Sequence, residues 1–80
     1  GWAMVEKLGD LAHARERVAM GLRVVEGFRV SDVHELGQMP DATRVSEFMR
    51  EGLLSASEDR IALTPNGRLV ADRITAEISP

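Results

Sequence analysis

Residues 51–74, EGLLSASEDRIALTPNGRLVADRI, decide the fold. Gly52 closes a helix, because glycine enters the left-handed backbone region without a Cβ clash. Leu53-Leu54-Ser55 is too short and too close to that glycine to begin another helix. Arg60 to Thr64 alternates, with Ile61 and Leu63 on one side and Arg60, Ala62 and Thr64 on the other, which is a strand pattern. Ala56, Ser57, Glu58 and Asp59 lie between the two segments and read as a polar hairpin tip. Thr64-Pro65 then starts a helix: threonine caps its first turn, and proline at the first helical position forfeits no hydrogen bond. Gly67 and Arg68 complete this helix-cap motif. Leu69, Val70, Ile74 and Ile78 form the apolar stripe of a last helix ending near Ser79.

Upstream, Gly9, Gly27 and Gly37 also follow helix-like stretches. The spacing predicts a long helix from Asp10, its N-cap, to Glu26. Leu11, Ala14, Val18, Leu22 and Val25 share one face, widened by Met20 and Val24. Gly21 breaks the propensity rule at a cost of about 1 kcal/mol against alanine, and close packing of another element against the backbone there would explain it. A short helix follows near Ser31–Leu36, capped by Ser31, favoured by Asp32 in its first turn and ended by Gly37. Pro40 and Asp41 open a third helix with Val45, Phe48 and Met49 as its apolar stripe. The expected order is helix, short helix, helix, two-stranded hairpin, helix. That is a mainly α fold with a small β-hairpin, winged-helix-like in its order.

The 80-residue chain reads as a single domain, 44% apolar and with a formal net charge of −3. A core of this size leaves only about 3–5 kcal/mol of net stability. The chain contains no cysteine, so neither disulfides nor thiolate-bound zinc or iron–sulfur sites can be built from it. No apolar run approaches the roughly 18 residues of a membrane span, and no signal peptide is visible. The basic excess of a general nucleic-acid binder or a polybasic membrane binder is missing.

No constellation carries chemistry by itself. His13 and His34 come from different helices, and neither has a second histidine or a cysteine at ligand spacing. They read as surface or partly buried histidines, with haem contact as the alternative. Asp10, Glu16, Glu26, Asp32 and Glu35 read as solvated helix faces rather than an acid–base pair, which would need a water-excluded cleft. No nucleophile elbow or phosphate loop is present. The winged-helix order raises DNA binding or protein interaction as an alternative function, with the third helix as the reading helix. That helix sets Asp41, Glu47 and Glu51 against Arg44 and Arg50. The hairpin tip sets Glu58 and Asp59 against Arg60. Both surfaces would meet phosphate repulsion, so no nucleic-acid partner is expected.

The segment GLRVVEG (21–27), preceded by ARERVAM and followed by residues 51–74, resembles the C-terminal domain of the oxygen-independent coproporphyrinogen III oxidase family, the HemN and HemW radical SAM proteins. Leu63-Thr64-Pro65-Asn66-Gly67-Arg68 fits the family's second pattern. The Trp2, Val5, Glu6 and Gly9 spacing looks more like the haem-chaperone branch. The resemblance implies a non-catalytic accessory domain of a cytoplasmic protein of porphyrin or haem metabolism. Its partner would be a catalytic radical SAM barrel in the same polypeptide, from which residues 1–9 would continue as an edge segment; Trp2, Val5 and Leu8 have helical spacing suited to that. The family's [4Fe–4S] cluster and S-adenosylmethionine belong to the barrel, and porphyrin or haem to the full-length protein. This chain itself is expected to hold no catalytic, cofactor or metal site. The matching residues Gly21, Leu22, Arg23, Glu26 and Gly27 have two readings. Arg23 and Glu26 either pair locally on a helix surface or dock the domain onto the barrel.

Overall fold

A computed structural model describes the backbone of residues 2–80 and the side chains from Gly9 onward. The elements are α1 (Trp2–Gly21), β1 (Phe28–Arg29), α2 (Val30–Glu35), α3 (Ala42–Arg50), β2 (Leu54–Ser57), β3 (Arg60–Leu63), a 3₁₀ turn (Gly67–Val70) and α4 (Ala71–Ile78). The fold is mainly helical with a small antiparallel sheet, in the expected winged-helix-like order. It carries one strand more than the expected hairpin: β1 pairs with β3, giving the order β1-β3-β2.

The inner face of the sheet joins the core. Phe28 stands opposite Ile61, and Leu54 opposite Leu63. All four are buried, together with Ala14, Val18 and Leu22 of the α1 segment, Val45 and Phe48 of α3, and Ile74 and Ile78 of α4. α1, α3 and α4 each contribute residues three or four apart, the spacing that puts apolar side chains on one face, and α2 contributes Val33. The opposite sheet face carries Arg29, Arg60, Ser55, Ser57 and Ala62, as strand alternation requires.

Helix ends follow local chemistry. Asp41 caps α3 by accepting the Arg44 amide at 3.0 Å. Its own amide donates to Ile78 O at 2.9 Å, tying the start of α3 to the end of α4. Gly52 takes φ 75° after α3. There the Leu53 amide reaches Phe48 O and the Gly52 amide reaches Met49 O, a Schellman closure. Gly37 closes α2 in the same way.

Several boundaries differ from the sequence expectation. The first helix neither starts at Asp10 nor runs to Glu26. It continues through Gly9 and stops at Gly21, and residues 22–27 form successive turns instead. Val25 and Val24 therefore leave the core face and are exposed, as is Met20. Trp2, Val5 and Leu8, expected as an apolar edge, have side chains outside the described residues. Met49 and Leu69 are exposed rather than in their stripes; Leu69 precedes α4, in the 3₁₀ turn, whose repeat differs from that of an α-helix. Ala56 and Ser57 belong to β2, so the turn is only Glu58-Asp59, with Glu58 at φ 54°. Ser31 lies inside α2 and does not cap it. Asp59 at the wing tip supplies the cap: its carboxylate accepts the Ser31 amide at 3.0 Å and also the Ser31 hydroxyl.

Candidate functional site

The GLRVVEG residues are held at the end of α1. Gly21 has no room for a side chain, since a Cβ would lie 2.3 Å from Phe28 Cβ and 2.8 Å from its Cα. This is the close packing of another element expected at that glycine. Gly27 has two reasons to be glycine: φ is +76°, and a Cβ would meet Ile61 O at 2.0 Å. Together the two glycines let β1 pass over the helix end and pair with β3. Leu22 between them is buried at 5% exposure. Arg23 and Glu26 are exposed. The helix has already ended there, and the two form no ion pair with each other or with any other described residue. Local pairing on a helix surface is thus not what the structure shows for them.

The second motif is built around Thr64. Its hydroxyl donates to Gly52 O at 2.6 Å and accepts the Gly67 amide at 3.1 Å. It joins the end of the α3 turn to the start of the 3₁₀–α4 segment. Pro65 and Asn66 form a turn ahead of that segment, so the helix starts two residues later than the sequence suggests, at Gly67 and first as 3₁₀. Gly67 is buried and contacts backbone: a Cβ would lie 1.9 Å from Leu53 O. Its glycine identity follows from this approach as much as from the cap. Arg68 points away from these contacts and is exposed.

The two motifs meet. Leu22, Arg23 and Val25 from the first and Arg68 from the second line one groove of about 300 Å³, closed on the other side by Ala71, Asp72 and Thr75. Arg23, Arg68 and Asp72 are the charged residues of its lining. Ala19, Leu22, Val25 and Leu63 give the lining its apolar part. Such a surface can take a partner through apolar contact and charge-assisted hydrogen bonds. Sequence reasoning singled out Leu22, Arg23 and Arg68 as motif residues but could not place them together, because only the fold brings residues 22–25 and 68–75 to one groove.

The remaining candidates sit elsewhere. His13 is exposed on α1 beside Glu16 and Arg17, and His34 is exposed on α2. Among the described residues no group of three histidines and carboxylates is placed to hold a metal ion. On α3, Arg44 bonds Glu47 at 2.9 Å and lies 3.9 Å from Glu77 of α4. The hydrogen bond and charge of Glu47, then the charge of Glu77, raise the Arg44 pKa above its ordinary value. Glu77 also bonds Arg73 at 2.9 Å, and Arg73 stands over the Phe48 ring at 5.8 Å. This network locks α3 to α4 along their exposed edge. No described helix is long and apolar enough to cross a membrane.

The fold is a small, mainly helical, winged-helix-like module, and residues of its two motifs line one groove. A model of the HemN C-terminal domain matches residues 10–70, and the chain belongs to that family. Neither a curated protein nor a solved structure matches it.

Proposed function

We propose that this chain is the non-catalytic C-terminal accessory domain of a cytoplasmic radical SAM protein resembling oxygen-independent coproporphyrinogen III oxidase or the related haem chaperone. In this reading the domain packs on the catalytic barrel of its own polypeptide through the Arg23–Arg68 groove. The carrying observation is that Arg23 of the first motif and Arg68 of the second, both exposed, line one groove and are used by no ion pair among the described residues. Buried glycines, the buried Leu22 and the Thr64 cap are explained by the domain's own packing; Arg23, Glu26 and Arg68 stay exposed, and the two arginines share the groove. Arginine suits this role, because its planar fork bonds carboxylates and backbone carbonyls at a protein interface.

The [4Fe–4S] cluster of the resembled family does not fit this chain. Its ligands would be cysteine thiolates, and the sequence has none. S-adenosylmethionine in such proteins binds at the cluster, so no chemical step is assigned to these residues. The role left to the domain is support or covering of the barrel, with porphyrin or haem contact arising only in the full-length protein.

The test uses Arg23→Ala and Arg68→Ala in the full-length protein and in the 80-residue chain. Docking predicts faster proteolytic separation of the domains in the full-length variants, with the melting point of the 80-residue chain nearly unchanged. Equal destabilisation of both forms would assign the arginines a local structural role and end the docking reading. An 80-residue preparation that bound S-adenosylmethionine or carried an iron–sulfur cluster would end the accessory-domain reading.

A further inference from the structure

On the far side of the α1 end lies a second groove, of about 290 Å³, that shares no lining residue with the docking groove. Arg17 of α1, Arg29 of β1 and Arg60 of β3 line it, and Asp32 is the single carboxylate among its walls. Gly21 and Gly27 form its floor. A chain with a net charge of −3 has here placed three guanidiniums around one concavity.

The sheet register adds an independent observation. Arg29 and Arg60 are direct cross-strand partners. Like charges directly opposite each other destabilise a sheet. No carboxylate forms an ion pair with either arginine among the described residues. Asp59 spends both carboxylate oxygens on Ser31. Arg29 and Arg60 also line an adjoining concavity with Glu26, Glu58 and Asp59, yet neither Glu26, Glu58 nor Asp32 forms an ion pair with Arg17, Arg29 or Arg60 among the described residues. The fold therefore keeps a repulsive arginine pair, with a third arginine beside it, opening onto solvent in a groove of ligand size.

We infer that Arg17, Arg29 and Arg60 form a binding site for a small, multiply charged oxyanion, a phosphate or a polycarboxylate. Such an anion would neutralise the cross-strand pair while accepting charge-assisted bonds from guanidiniums of three different elements. Arg29 and Arg60 hold the ligand across the sheet, and Arg17 closes the site from the helix.

The experiment is a titration of the 80-residue chain with pyrophosphate and, separately, citrate. Backbone amide shifts are followed at constant ionic strength, with chloride as the reference anion. Saturable shifts are expected at Arg17, Gly21, Arg29 and Arg60. Arg29→Gln and Arg60→Gln should each weaken binding by about tenfold or more, while Arg73→Gln, in the α3–α4 network, leaves it unchanged. Tighter binding of pyrophosphate assigns a phosphate ligand, and tighter binding of citrate a polycarboxylate. Without anion, both variants should melt at or above the parent temperature, since each removes a repulsion. Non-saturable shifts, equal weakening in Arg73→Gln, or a lower melting point for the anion-free sheet variants would overturn the inference.

Discussion

Alanine at Gly27 should be far more damaging than alanine at Gly37 or Gly52, although all three have nearly the same backbone geometry. Their φ angles are +76°, +73° and +75°. A left-handed conformation costs a non-glycine residue about 1–2 kcal/mol, and that cost applies to all three substitutions. Gly37 and Gly52 have nothing within 4 Å of the new Cβ. At Gly27 the Cβ would lie 2.0 Å from Ile61 O and 2.6 Å from Ile61 C. That carbonyl belongs to the middle strand, paired on both sides, so it cannot swing away as a side chain would. Overpacking of this kind adds about 1–3 kcal/mol. The sum, roughly 2–5 kcal/mol, is comparable to the whole net stability of a domain this small, about 3–5 kcal/mol. Urea denaturation followed by circular dichroism reads the difference directly. Gly37→Ala and Gly52→Ala should unfold cooperatively at lower urea, whereas Gly27→Ala should be partly or wholly unfolded in buffer. Equal losses at all three positions would refute the close approach of β1 to β3 as the reason for glycine at position 27.

Gly9→Ala should stabilise the chain by about 1 kcal/mol, because Gly9 lies inside α1 with open space around it. A loss instead, measured by thermal melting, would place a helix boundary there, as the sequence reading had it. Asp59→Ala removes the two bonds that cap α2 through Ser31 and should lower stability by about 1 kcal/mol. Hydrogen exchange should speed up at the Ser31 amide in particular, and an unchanged rate there would contradict the cap.

What was legible in the sequence was whatever local chemistry decides. Asp41 caps α3, and Gly37 and Gly52 end their helices, because a short side chain or a missing Cβ acts within one turn. Ile61 and Leu63 alternate clearly enough to mark β3. The errors arose where a distant residue decides. Val25 extends the helical spacing of α1 in the sequence, but β1 crosses at Gly21 and the chain turns away before reaching it. β1 has only two residues, too few to show alternation. The α2 cap comes from Asp59, which is close to Ser31 only once the wing has folded back. The meeting of Arg23 with Arg68 depends on the same tertiary arrangement, so the motifs could be seen but not the groove between them.

The two family motifs separate into residues that the chain's own packing explains and residues that it does not. Gly21, Gly27 and Gly67 each exclude a Cβ by backbone contact, Leu22 fills the core, and Thr64 bonds two loops at once. Any one of these could be required in an isolated domain. Arg23, Glu26 and Arg68 are different: they are exposed and join no ion pair among the described residues. Long charged side chains left in solvent contribute little to folding, so replacing them should change the stability by only about 0.5 kcal/mol or less. A pattern that specifies such residues beside obligatory glycines is specifying a surface as well as a fold. The glycines fix the backbone of that surface, and the arginines are what it presents.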